Sequence, residues 1–386
     1  MKANDVKGRN VAIDYLRAFI TLLVLEHHST LAYTTFAHVN FSNPLRSTAP
    51  IIDACRWWFL DYAEDFNDVF FMSLMFLLSG LCVLPSLQAK GVLSFIKDRI
   101  RRLGLVFFVG VIFLIPMAYY PAFLSVGSAS NYFQFWFNFI TKYGWGPGPL
   151  WFIWVLLAFD VIAAISYPII RIVTNKIICK SSFKAFLMLF LVSFFAYAPM
   201  LDKFGFGTWI PFITIPLWFQ LPRILLYLAW FLCGVFFGAN CLQQGFLSMN
   251  SRFAKRWPIW VLFACIAFIS YRFVPAMISG FYNAGKIRDI VRAAFWVLSC
   301  CASSFAFLSL FLGTIKARSR VFDSLARNAY LIYAVHYLFV LWAQFLLLNA
   351  PVNAATKFIV VFLITVLASW GLSSLLLRIP AIRKIA

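Results

Sequence analysis

Ten apolar runs follow one another along this chain, each close to the ~20 residues that a helix needs to cross the hydrocarbon core of a bilayer. They cover residues 11–33, 69–87, 104–121, 150–170, 184–200, 223–242, 258–279, 290–313, 329–349 and 358–377. Lipid offers no partners for backbone N–H and C=O groups, so each run is expected to satisfy its own as an α-helix. Composition closes the alternatives: 63% of residues are hydrophobic and 12% charged, against roughly 25% charged in soluble domains. A soluble fold cannot hide 46 phenylalanines and 14 tryptophans and keep a polar exterior. Disordered, collagen-like and disulfide-scaffold classes fall to the same figures. The expected fold is all-α: a polytopic integral membrane protein of about ten transmembrane helices. Residues 1–386 form a single domain in this reading, with no separate soluble part.

The net charge of +20 would suit a nucleic-acid binder if the basic residues were spread over a surface. They collect instead in short segments between apolar runs, so no nucleic acid is expected as a partner. Such segments set topology and attract anionic membrane lipids. The N-terminus, 88–103, 171–184, 243–257, 314–328 and the C-terminus together hold 22 Lys and Arg, against 7 in the opposite loops. Both termini are therefore expected to be cytoplasmic, and an even number of spans keeps them on one side. The first run is long and charged, so it is expected to be retained rather than cleaved. Cysteines at 55, 82, 179, 233, 241, 265, 300 and 301 fit no zinc or redox spacing. They read as packing residues, and no metal site is expected.

Two stretches on the outer side stand out. Residues 34–68 form a long connection in which Asp53, Asp61, Glu64, Asp65 and Asp68 gather, and 123–149 is aromatic and rich in Gly and Pro. An interfacial aromatic belt explains the second. A sugar platform is the functional alternative, since carboxylates bind hydroxyls and aromatic faces stack on pyranose rings.

Ionisable groups inside a span are costly and usually functional. The first span holds Asp14, Arg17, Glu26, His27 and His28. At about 100° per residue, Arg17 and His28 differ by only about 20° in heading, and Asp14 and His28 by about 40°. His27 points about 80° away from Arg17, and Glu26 lies opposite. One face thus carries Asp14, Arg17 and His28, with His28 about 16 Å further across the membrane. Asp14 and Arg17 could be a topogenic pair and His28 a packing residue. Alternatively, His28 is a general base, the usual role of histidine near neutral pH.

The segment "IDYLRAFITLLVLEHHS" resembles the opening of membrane-bound acyltransferase family 3, where Arg or Lys, ten residues and then His recur in the first span. Arg17 and His28 fit that spacing. "MFLLSG" at 75–80, "FIKDRIRRLG" at 95–104, "PLWFI" at 149–153 and "NAYLIYAVHYLF" at 328–339 are similar to further family segments, in the family's order. Val106 stands where the family's basic run usually ends in proline, and Pro149 where a histidine often precedes LWFL. The ending "LLLRIPAIRK" is similar to the branch that includes glucan biosynthesis protein C.

The resemblance implies an O-acyltransferase of the bacterial inner membrane. It would move an acetyl or succinyl group from acyl-coenzyme A, entering from the cytoplasm, to a hydroxyl of a carbohydrate or glycan. No permanently bound cofactor is implied. His28 would be the base, with Asp14 and Arg17 orienting the site or, for Arg17, stabilising developing negative charge. Arg99 and Arg102 share a helical face near a helix N-terminus, which suits a phosphorylated donor as well as plain topology. Ser79, Trp151, Tyr333 and His336 are possible lining residues, with helix packing the alternative. A transporter of a small polar or glycan-related substrate is the rival class, although no repeat of span one is visible near span six.

Overall fold

The structure is a computed structural model that describes residues 10–128, 131–174, 181–212, 216–240, 245–278 and 285–385. Cys179, Cys241, Lys176, Lys180, Leu242 and Ser279 lie outside the described residues, as does the basic segment before Asn10. Its principal helices are α1 (Val11–Thr30), α2 (Trp58–Gly80), α3 (Val92–Ser125), α4 (Trp151–Ile165) and α5 (Ser182–Phe204). They continue as α6 (Ile224–Asn240), α7 (Trp257–Ile278), α8 (Gly285–Thr314), α9 (Arg320–Leu347) and α10 (Ala354–Leu376). Among the described residues, nine helices are long and apolar enough to cross a membrane, namely α2 to α10 with their short extensions. The remaining one, α1, is 20 residues long and carries Asp14, Arg17 and Glu26. It packs against α2, α8, α9 and α10, and none of its residues is exposed. The all-α polytopic class holds, with one small antiparallel hairpin (Trp209–Pro211 with Trp218–Gln220) between α5 and α6.

The apolar runs understate several helices. The second was expected to start at residue 69, yet α2 begins at Trp58. Asp61, Glu64, Asp65 and Asp68 are therefore helical rather than part of a loop. Their charges are accommodated by partners on other segments: Asp61 accepts from Thr35, Asp65 pairs with Arg272 of α7, and Asp68 with Arg223. The remaining loop is pinned by Asp53, whose Oδ2 lies 2.7 Å from Lys357 Nζ, both side chains being almost fully buried. These contacts engage most of the carboxylates that a sugar platform would have used.

Helix α3 also starts earlier than its apolar run and contains two wide π-helical turns, Ile100–Gly104 and Gly110–Leu114. Such turns misalign the backbone ladder and need outside donors. Trp136 and Trp145 donate indole N–H groups to the carbonyls of Ile112 and Val111 at 2.8 and 2.9 Å, and Tyr330 donates to that of Arg102 at 2.6 Å. The aromatic 123–149 stretch thus braces α3. Where α2 crosses α6, glycines let the backbones touch: a Cβ on Gly80 would stand 2.2 Å from Phe231 O, and one on Gly234 2.2 Å from Leu77 O. This small-residue contact is the packing role expected of the Ser79–Gly80 pair. Cys233, Cys300 and Cys301 are buried, whereas Cys55, Cys82 and Cys265 are exposed, so the packing reading fails for the latter three.

Early residues of α1 meet late residues of α2 and early residues of α3, and Arg101 donates to the Lys384 carbonyl at 2.9 Å. The first and last described residues therefore share one end of the bundle. The charge asymmetry predicts that this end faces the cytoplasm. With the native cysteines replaced, single cysteines at Asn40 and Pro351 should label from outside and one at Ser248 should not. The reverse pattern would invert the topology.

Candidate active site

Near the end that carries the termini, a cavity of about 240 Å³ lies among α1, α2, α3, α4 and α9. Arg17, Arg99, Arg102 and Asp160 supply its charged lining. Met75, Phe152, Ile153, Leu156 and Tyr333 line an apolar throat. Five residues singled out in the sequence converge here: Arg17, Ser79, Arg99, Arg102 and Tyr333.

The arginines differ in how they are held. Arg17 donates Nη2 to the Leu78 carbonyl at 3.1 Å and has Nη1 3.7 Å from Asp14 Oδ1, so much of its fork is already engaged. Arg99 and Arg102 are each approached by a carboxylate at Nε: Arg99 by Asp160 at 3.3 Å and Arg102 by Asp98 at 3.2 Å. Those are the nearest approaches, and the Nη atoms of Arg99 and Arg102 donate no hydrogen bond among the described residues, while both arginines line the one cavity. The expected help from a helix N-terminus is absent, because α3 begins at Val92, about two turns before Arg99. Ser79 lines the cavity while its hydroxyl donates to the Met75 carbonyl at 2.8 Å.

Beyond the throat stands a second cluster. Tyr333 donates its hydroxyl to the Pro149 carbonyl, and its ring meets Phe152 edge-on at 5.6 Å. His336, one turn further along α9, donates Nδ1–H to the Tyr333 carbonyl at 2.6 Å. That bond fixes the tautomer and leaves the Nε2 lone pair without a hydrogen-bond partner. The His336 ring stacks on His28 at 5.3 Å, and His28 meets Tyr337 edge-on at 5.0 Å. Nδ1 of His28 is likewise buried without a partner. A pair of imidazoles with unused ring nitrogens is suited to proton transfer.

Arg17 and His28, expected on one face, turn to the two helices that flank it, Arg17 to α2 and His28 to α9. Asp14 is not in this cavity. It lines a separate cleft with Tyr15, Arg318, Asp323 and Arg327. Trp151 lies to the side, packed on Trp209 and Tyr227. His27 packs on Phe71 with Nε2 3.9 Å from Glu64, and Glu26 accepts from Asn67, so this side of α1 serves α2. Sequence reasoning missed Asp160, although it is the one acidic residue in the fourth apolar run, a signal that points to function in a span.

A search of curated proteins and one of solved structures each give no match. The family model for acyltransferase family 3, described as an acyltransferase domain, matches residues 10–374. That match begins before α1, ends near the close of α10 and takes in both the arginine cavity and the histidine pair, so the chain belongs to acyltransferase family 3 and is a multi-pass membrane acyltransferase.

Proposed function

We propose that the protein is an O-acyltransferase of the bacterial inner membrane that moves an acetyl or succinyl group from acyl-coenzyme A to a hydroxyl of a carbohydrate or glycan. The observation that carries this reading is one cavity lined by the Arg99 and Arg102 guanidiniums together with apolar side chains and Tyr333, whose ring packs on His336, which in turn stacks on His28. Such a combination suits a donor with a phosphorylated head and a long thin arm that ends in a thioester. Guanidinium forks bind phosphate bidentately, and the arm would lie along Phe152 and Leu156. His28 takes the proton from the acceptor hydroxyl as its oxygen attacks the thioester carbonyl, and the thiolate leaves. A carbohydrate acceptor is supported at the other end of α2, where Trp57, Trp58, Phe59 and Tyr62 form an exposed aromatic group.

Purified protein with radiolabelled acyl-coenzyme A and a glycan acceptor tests the reading. Acyl-donor turnover onto the acceptor supports it, and substrate flux without acylation overturns it. Replacing Arg99 and Arg102 together with glutamine should weaken acyl-coenzyme A binding about 10- to 100-fold through loss of charge-assisted contacts. Normal insertion with unchanged donor affinity would remove both residues from the site.

A further inference from the structure

We infer that Asp160 is a positioning residue for the donor: it holds Arg99 by the Nε edge so that the guanidinium fork faces the donor's phosphate. The inference deepens the acyl-coenzyme A reading above and rests on it.

The argument starts from the cost of the carboxylate. Asp160 is 1% exposed and sits in a membrane helix, where an ionised side chain needs a reason. Neither of its oxygens receives a hydrogen bond, and Arg99 is its one ion-pair partner among the described residues. A guanidinium that spends both arms on a carboxylate has few donors left for a ligand. The same molecule provides such a guanidinium. Arg223 gives Nη1 and Nη2 to the two oxygens of Asp68, and both arms are spent on the protein. Arg99 meets Asp160 most closely through Nε, at 3.3 Å, and neither Nη atom donates it a hydrogen bond, while Phe95 covers one face with its ring centre 4.9 Å from Cζ. One edge and one face are fixed, and Nη1 and Nη2 stay available beside the cavity.

Asp98 approaches Arg102 in a similar manner but is a weaker holder. It is shared with Lys90 at 2.7 Å and its side chain is 27% exposed, so water and a second cation dilute its pull. Asp160 has neither competitor. The loose alignment of its contact suits a pair that tightens once the fork is loaded, as ligand-free sites commonly do. The carboxylate also offsets part of the repulsion among Arg17, Arg99 and Arg102 around one cavity.

The test compares acyl-coenzyme A with the acyl thioester of N-acetylcysteamine, which has the same reacting bond and no phosphate. In Asp160→Asn, KM for acyl-coenzyme A should rise about tenfold with kcat retained, because only ground-state donor contacts are loosened. KM for the phosphate-free thioester should not change. Asp160→Glu should recover part of the loss, and Asp160→Asn should add nothing in an Arg99→Met background. Equal effects on both donors, or additive loss in that background, would overturn the positioning role. Should Asp160→Asn fold poorly, the same two-donor comparison with Asp160→Glu decides, since a loss confined to acyl-coenzyme A supports the role and a donor-independent effect ends it. If Arg99→Met alone leaves KM for acyl-coenzyme A unchanged, the donor site itself is misplaced, a failure visible without any Asp160 variant.

Discussion

Replacing His28 with alanine should lower acyl transfer about 10²- to 10⁴-fold, the range that loss of a general base produces. The His28 ring touches His336 and Tyr337, while its Nδ1 holds no hydrogen bond that removal would orphan on a neighbour. The link between α1 and α9 at this level uses the His28 backbone, whose carbonyl accepts from Gln344 at 3.0 Å, and alanine keeps it. Loss of the ring contacts with His27, His336 and Tyr337 should lower folded yield, so turnover is compared per folded molecule. Donor binding should survive, since the guanidinium forks stand on α3. His27→Ala should behave differently. It removes a ring packed 5.0 Å from Phe71 and facing Glu64, so yield should fall while activity per folded molecule remains close to normal. Turnover of His28→Ala equal to wild type, at equal folded yield, would sink the mechanism and leave the family intact.

The fold was legible because the bilayer imposes a length and a composition on each helix, and the helices among the described residues that meet both, nine in all, each fall on an apolar run. Even α1 was found that way, because the surrounding residues of Asp14, Arg17 and Glu26 are apolar. The ends were less legible where charge is paid back by a distant partner. Nothing local to Asp65 or Asp68 announces Arg272 or Arg223, which lie some 155 to 207 positions away, so α2 was read eleven residues too short. The two π turns of α3 were invisible for a related reason. Their support comes from Trp136, Trp145 and Tyr330, on other segments of the chain.

The candidate site divides along the same line. Helical periodicity within one span was enough to select Arg17 and His28 and to set His27 apart from them. Periodicity could not say that Asp14 belongs to another cleft, nor that Arg17 is largely engaged by the protein. Convergence of Arg99, Arg102, Asp160 and Tyr333 is a property of three helices seen together. Asp160 carried the signal most open to sequence reasoning, a lone carboxylate in an apolar run, and the charge-rich first span drew attention from it.

The largest stability effect is expected at Arg223, beside the start of α6. Its side chain is 1% exposed, it reaches Asp68 Oδ1 from Nη1 at 2.7 Å, and Trp296 lies under its guanidinium with the ring centre 5.1 Å away. Arg223→Met keeps much of the volume and deletes the charge. It leaves the Asp68 carboxylate without its bidentate partner in a setting poor in water, and breaking such a pair costs about 3–5 kcal/mol. Thermal unfolding in detergent, followed by loss of the monodisperse peak, should show a marked drop. The companion experiment isolates the cause. In Asp68→Asn combined with Arg223→Met no ion is left uncompensated, and removal of both partners of a buried pair can be nearly neutral. The double variant should therefore be more stable than Arg223→Met alone, even though it departs further from the native sequence. A double variant as unstable as the two single losses added together would mean that Arg223 acts through packing on Phe206 and Trp296, and that its charge contributes little to holding α2 against α6.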